Sequence, residues 1–168
     1  KTKPFINKKG LKEYPKDYNP ILEYWEQIQN GEVLVCDKVY EQYKEIVSWF
    51  EKDGYKEWFY SSERANHAIE FAENFCCHSK GKMAEKKVVL ELWEKAYFAS
   101  VYGFIDIEGN RKHQRVVLIV GKKNGKSLLD SIMGLYGLVA DGEGGSEIYA
   151  VATKKDQSKI VWLEAKRM

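Results

Sequence analysis

Long apolar runs are missing from this sequence. No stretch of its 168 residues is apolar for long enough to span a bilayer, which argues against a helical membrane protein, and no secretory signal is visible at the start. Cysteine is scarce. Cys36, Cys76 and Cys77 are the only three, an odd number with two adjacent, so no disulfide framework is expected and the thiols read as reduced. Cys76-Cys77-His78 has no second ligand pair at zinc spacing, and Cys76 falls on the apolar stripe of its segment, as a core thiol does. Neither sign of charge dominates: 27 basic and 25 acidic side chains leave a net charge of +2. That balance neither requires nor excludes nucleic acid, because a local basic face matters more than the total. Internal repeats and low-complexity segments are absent. Aromatics, by contrast, are plentiful, with five Trp and eleven Tyr, which is not the composition of a disordered chain. The length suits one sizeable core, or one core with a small appended subdomain.

Residues 1–18 are Lys-rich, contain Pro4 and Pro15 and show no periodicity, so an extended arm or loose loop is expected. Asn19-Pro20 is a helix start, an N-cap residue followed by proline at the first helical position. Ile21, Tyr24, Trp25 and Ile28 then share a face. A second helix begins near Asp37, with Val39, Tyr40, Tyr43, Ile46, Val47 and Phe50 as its stripe and Gly54 beyond its end. A third follows Ser61-Ser62 and carries Ala65, Ala68, Ile69, Ala72, Phe75 and Cys76 on one side. These aromatic and aliphatic stripes read as core rather than as a base-stacking surface. Residues 1–80 are therefore expected to form a helical N-terminal subdomain. The polar linker 79–87 is the candidate boundary, and residues 88–168 a second domain. A further helical segment runs from Leu90 to Ile105, and Asp106–Lys112 reads as a turn.

The second half is organised around Arg115-Val-Val-Leu-Ile-Val-Gly-Lys-Lys-Asn-Gly-Lys-Ser127. A β-branched and Leu run, Val116–Val120, suits a central parallel strand covered on both faces. A Gly/Lys turn follows, then an apolar helix from Leu128 to Ala140. Strand, phosphate-sized loop and helix N-terminus occur in that order in a P-loop. Loop N–H groups and the positive end of the helix dipole attract a phosphate chain. Lys126 is placed to reach the outer phosphates of ATP, and the Ser127 hydroxyl to sit on Mg²⁺. The spacing departs from the Walker A pattern: the glycine required at position 120 is Val120, and Gly121 comes one place late. A second strand is expected at Glu147–Ala152. Thr153 then caps a last helix on which Ile160, Val161, Ala165 and Met168 share a face. Strand, helix, strand, helix is the α/β pattern of a parallel sheet. The expected fold is thus a truncated P-loop NTPase parallel sheet preceded by a helical subdomain. The face on α-helical residues 160–168 lacks a cover, so self-association is expected.

A P-loop ATPase also needs an acid at the end of another apolar strand, to hold Mg²⁺ through water. The second strand ends in Ala152-Thr153 with no acid, and the helical pattern at Met168 is unfinished. The chain is accordingly expected to be the N-terminal piece of a longer protein and inactive in hydrolysis by itself.

Three stretches resemble the large terminase subunit of tailed bacteriophages. The first is Phe71-Ala-Glu-Asn-Phe-Cys-Cys-His-Ser-Lys-Gly81 with Leu90-Glu-Leu-Trp-Glu-Lys-Ala96 and Tyr102-Gly-Phe104. The second is Gly121-Lys-Lys-Asn-Gly-Lys-Ser127. The third is Gly142-Glu-Gly-Gly-Ser-Glu-Ile-Tyr-Ala-Val-Ala-Thr-Lys-Lys-Asp-Gln-Ser-Lys-Ile-Val161. Together they run from about residue 70 to the end. The resemblance implies an ATPase domain that drives viral DNA into a procapsid, followed by a metal-dependent nuclease domain that cuts concatemeric DNA. It implies double-stranded DNA, a small terminase subunit and a portal protein as partners, and the cytoplasm of the bacterial host of a phage or prophage as the setting. Carried over by position, Gly121, Lys122, Lys123, Asn124 and Gly125 form the loop, with Lys122 as its early basic residue. Lys126 and Ser127 contact phosphate and Mg²⁺, and Trp93 and Glu94 stand on the adenine side. There Leu92 replaces the usual Pro and Glu94 the usual Gln; an ionised Glu only accepts hydrogen bonds, where a Gln amide also donates. Two other readings stand beside this one. One is a non-enzymatic helical module that binds DNA or a protein partner, in which Gly125-Lys126-Ser127 is only a turn. The other is a small-molecule P-loop kinase, which the long helical preamble fits poorly.

Overall fold

The computed structural model describes residues 2–52 and 54–168. Its chain forms two compact units, residues 1–70 with 90–116 and residues 71–89 with 117–168. The units do not follow the linear halves of the sequence, because residues 90–116 cluster with the N-terminal helices.

The first unit opens with a hairpin, β1 (Phe5–Ile6) antiparallel to β2 (Lys12–Glu13), where a loose arm is expected from the sequence. Helix α1 (Pro20–Gln29) starts as its sequence dictates: the Asn19 side chain accepts from the amides of Ile21 at 3.1 Å and Leu22 at 3.4 Å, and Pro20 follows. Helix α2 (Asp37–Phe50) buries Tyr43, Ile46 and Trp49. Strand β3 (Phe59–Tyr60) leads into α3 (Ser62–Phe75), where Ser61 Oγ accepts from the Arg64 amide at 3.3 Å. Helix α4 (Leu92–Tyr102) is apolar on most sides, with Ala96, Phe98, Ala99, Val101 and Tyr102 buried. It is a central helix of this unit, packed on α1. Strand β4 (Phe104–Ile105) returns antiparallel to β3, with Tyr60 opposite Phe104. Gly103 permits that return, since a Cβ there would lie 2.5 Å from both Tyr60 Cε2 and the Ala99 carbonyl oxygen. The core joins Ile21, Tyr24, Ile28, Tyr43, Ile46, Trp49, Ala65, Ala96, Ala99 and Phe104. Aromatic edges meet faces within it: Trp49 with Phe104 at 5.1 Å and Tyr24 with Tyr43 at 4.9 Å. Most of the stripe residues read from the sequence are buried or pack against this core, but Phe75 is exposed.

The second unit contains the end of α3, a 3₁₀ turn at Gly81–Met83, α5 (Lys126–Val139) and α6 (Lys155–Lys166). Helix α5 buries Leu129, Ser131, Ile132 and Tyr136, with Tyr136 edge-on to Phe71 at 5.5 Å. Cys76 is buried, the core thiol its position on the stripe calls for, and burial pushes its pKa up to about 11. Glu164 ties α6 down, accepting from Ser79 Oγ at 2.5 Å and pairing with Lys80 at 3.3 Å. The Thr153 cap is not formed: the residue before α6 is Lys154, and it makes no side-chain cap bond. Ile160, Trp162 and Leu163 of α6 remain exposed.

The parallel sheet expected here is not present among the described residues. The sheets are two antiparallel pairs of two-residue strands, β1–β2 and β3–β4. Val116–Val120 and Glu147–Ala152 are irregular segments, and neither is a strand. The reason is physical. A strand exists only through a hydrogen-bonded neighbour, and no partner segment pairs with either run among the described residues. Both are exposed rather than covered on two faces: Val117 is 82%, Ile119 89% and Val151 90% accessible. Ile148 of the second run packs on α5, where Gly134 and Gly137 leave room for its side chain. The mixed helix-and-strand class holds, and the P-loop sheet does not.

Candidate functional site

The loop that follows Val120 is built by backbone hand rather than by a strand. Lys123 has φ +68° and Gly125 φ +71°, and the residues between and before them do not share that sign, so the chain alternates. Alternating hands turn successive N–H groups toward one side, the concavity that binds anions in many phosphate sites. Glycine adopts this conformation freely, whereas at Lys123 it costs about 1–2 kcal/mol. Strain at a non-glycine residue is a mark of functional loops. Gly121 has the Asn124 side chain over it: a Cβ there would come 3.1 Å from Asn124 Nδ2. Lys122, Lys123 and Asn124 are exposed.

Gly125 is the N-cap of α5 and has no side chain with which to cap it. Lys126 and Ser127 are the helix's first two residues, so their amides and that of Leu128 have no partner within the helix. The helix dipole adds positive potential there. Three lysines lie between Gly121 and Ser127, and the first acid after them is Asp130. Desolvation raises the Asp130 carboxyl above its ordinary value, and the Lys126 ammonium one turn back opposes that shift. The loop thus gathers cationic side chains and free amides with no carboxylate inside it, a donor set that fits a polyphosphate. Ser127 supplies the one hydroxyl of this loop, at the second position of α5.

Ser131, one turn further on, was not singled out in the sequence. Its side chain is buried, and its Oγ lies 2.7 Å from the Ser127 carbonyl and 2.9 Å from the Val161 carbonyl. It braces the first turn of α5 against α6, a bond of the kind worth about 1 kcal/mol. The one sequence signal for it is a polar residue inside an otherwise apolar helix face.

Trp93 and Glu94 lie in the first unit, at the head of α4. Glu94 Oε2 accepts from the Glu91 amide at 2.8 Å, and the Glu91 side chain accepts from Glu94's amide, a reciprocal capping box. Desolvation raises the Glu94 carboxyl, and the bond from Glu91 partly offsets it. Trp93 packs, partly buried, against the aromatic core of the first unit. The structure therefore gathers Gly121 to Ser127 in one unit and pairs Trp93 with Glu94 in the other. Among the described residues no group of His, Cys, Asp and Glu could hold a metal ion by itself, and no helix is long and apolar enough to cross a membrane.

No curated protein and no solved structure matches the chain. A family model does, over residues 92–168, and its description is terminase large subunit, ATPase domain. The matched residues include Trp93, Glu94, the whole loop and the helices on either side of it. Residues 92–168, the stretch that carries the loop, are similar to the ATPase domain of the terminase large subunit.

Proposed function

We propose that this chain binds ATP through Gly121–Ser127 and serves an ATP-driven motor that packages double-stranded viral DNA. The observation that carries the reading is the alternation of backbone hand at Lys123 and Gly125, which runs directly into a helix headed by Lys126 and Ser127. The amides of the loop and of the first helical turn bind the phosphate chain. Lys126 neutralises the outer phosphates, and Lys122 and Lys123 raise the local concentration of the anion. The Ser127 hydroxyl is the protein ligand for Mg²⁺. When bound, Mg²⁺ neutralises charge on the terminal phosphates. The Ser131 hydroxyl positions that first turn by holding the Ser127 carbonyl.

Trp93 and Glu94 are proposed for the adenine side on the resemblance. Glu94 already caps α4 through the Glu91 amide, so it reads a base only by giving up that bond. Residues 88–168 are proposed as the front of the P-loop domain and residues 1–80 as its helical preamble. The small terminase subunit, the portal protein and the cytoplasm of a bacterial host belong to this reading, as does a nuclease activity to which no described residue is assigned.

Binding without turnover is the expected behaviour of these 168 residues. Phosphoryl transfer depends on positioning and charge stabilisation, and the Glu147–Ala152 run closes on Ala152-Thr153, with no acid at its end to organise Mg²⁺ and the attacking water. The experiment is an ATP titration of the chain and of Lys126→Ala, with phosphate release followed in parallel. Loss of a charged hydrogen bond of about 1.5–3 kcal/mol weakens binding by roughly 10- to 150-fold. Equal affinity in the variant would refute the loop assignment and favour the non-enzymatic module. Sustained phosphate release would refute the absence of the catalytic acid.

A further inference from the structure

Charge is balanced over the chain but not along it. Residues 1–16 hold six lysines and one acid, Glu13, which leaves 21 basic against 24 acidic side chains in the rest. The excess positive charge therefore sits in a segment whose periodicity predicts nothing.

That segment is a built hairpin. Asn7 is its hub: the Asn7 side-chain oxygen accepts from the amides of Lys9 at 2.8 Å and Leu11 at 3.0 Å, and its own amide donates to the Leu11 carbonyl at 2.8 Å. Gly10, with φ +78°, closes the turn by donating to the Asn7 carbonyl at 2.9 Å. Asn7 Nδ2 donates to Glu13, so the segment's one acid is engaged inside the hairpin. The base is anchored to α3. The Tyr14 amide donates to Glu70 at 2.7 Å, and Asn66 Nδ2 donates to the Pro15 carbonyl at 3.1 Å. Tyr14 and Tyr18 stack at 4.6 Å. Lys8 and Lys9 are held exposed at the tip. Among the described residues, Lys3, Lys8, Lys9 and Lys16 form no ion pair. Phe5 and Ile6, 51% and 64% accessible, stand beside them on β1.

We propose that the β1–β2 hairpin is a docking element for duplex DNA, with Lys8 and Lys9 contacting backbone phosphates. The proposal deepens, and rests on, the reading of duplex DNA as a partner. A two-stranded ribbon is of a size that enters the major groove. Lysine ammoniums serve backbone phosphates as point charges, and the choice of DNA over an acidic protein follows from the proposed partner. Because the rest of the chain is net acidic, contact with a polyanion falls to a local basic face. The binding is sequence-independent and strongly salt-dependent.

The test is fluorescence anisotropy of a short mixed-sequence duplex with the full chain, over a series of salt concentrations. Each phosphate contact contributes about 0.9 to the slope of log affinity against log salt, so Lys8→Ala with Lys9→Ala lowers the slope by about 1.8. Lys8→Arg with Lys9→Arg keeps the parental slope. Lys38→Ala with Lys52→Ala, exposed lysines of α2 and just beyond it, also leaves it unchanged. Matched melting curves show that the variants fold. A parental slope in the Lys8/Lys9 alanine variant overturns the hairpin proposal and leaves DNA as a partner. Failure of the parent chain to bind duplex overturns both. Displacement of the duplex by polyglutamate at lower charge concentration than by unlabelled duplex assigns the hairpin to an acidic protein instead.

Discussion

Replacing Gly125 with alanine tests how far folding and phosphate binding depend on the backbone hand of the loop. Gly125 sits at φ +71°, ψ +2° as the N-cap of α5, a conformation that costs an L-residue with a Cβ about 1–2 kcal/mol. The chain has two responses. If the loop keeps its hand, folded stability falls by about that amount and phosphate binding is retained. If the loop relaxes to negative φ, stability is largely spared, but the amides at the head of α5 turn away from their common focus. Loss of one charge-assisted bond of about 1.5–3 kcal/mol then weakens ATP binding by roughly 10- to 150-fold. Lys123→Gly is the converse. It relieves the strain at φ +68°, but it also adds unfolded-state entropy of about 0.5–1 kcal/mol, so stability stays near parental or rises slightly. Binding in that variant loses only the long-range attraction of one exposed ammonium. The assays are urea denaturation of both variants, followed by ATP titration at fixed ionic strength. In a phosphate loop, Gly125→Ala shows a loss of stability or of binding, and Lys123→Gly shows neither at comparable size. Parental stability together with parental ATP affinity in Gly125→Ala would refute the reasoning.

Glu94→Gln keeps the geometry of the capping box, since a glutamine side chain at that position also accepts from the Glu91 amide, so the urea midpoint stays near parental. If Glu94 stands on the adenine side, the variant gains a donor and its preference for ATP over GTP changes; an unchanged preference removes Glu94 from that role. His113 stacks on Trp49 at 6.2 Å and meets Phe104 edge-on at 6.3 Å. Desolvation first, and then the Lys112 ammonium, lower its pKa from 6.5. The unfolded chain therefore binds this proton more readily, and stability present above about pH 6.5 is lost as pH falls toward the lowered folded value. His113→Gln flattens that part of the stability profile, and an identical profile in the variant would assign the loss to other groups.

What was legible in the sequence follows the range of the bonds involved. Helices close their hydrogen bonds within one turn, so Asn19-Pro20 places the start of α1, and Tyr43 and Ile46 of the expected stripe mark the buried side of α2, to which the structure adds Trp49. The loop is legible for the same reason: seven consecutive residues carry the amides, the lysines and the hydroxyl. A strand is not local. The β-branched run at Val116–Val120 identifies a segment that suits a sheet, but its N–H and C=O groups need a neighbour that no property of the run supplies. The hairpin escaped notice for a related reason. Its organiser is one amide side chain, that of Asn7, and a single side-chain hub leaves no periodicity to read.

Ser131 marks the limit most clearly. Read along the helix, it is a polar interruption in the run from Leu128 to Leu138, and Ser in a helix commonly bonds to the carbonyl four residues earlier, as it does here with Ser127. That bond is local and could be anticipated. The approach to the Val161 carbonyl at 2.9 Å could not, because it depends on how α6 lies against α5. A hydroxyl carries one proton, so the two carbonyls share it, and α6 competes with the loop-bearing turn for the same donor. Any shift of α6 that lengthens the Val161 contact leaves the proton to Ser127 alone. The geometry of the proposed phosphate site is in this way tied to a helix that contributes no residue to it.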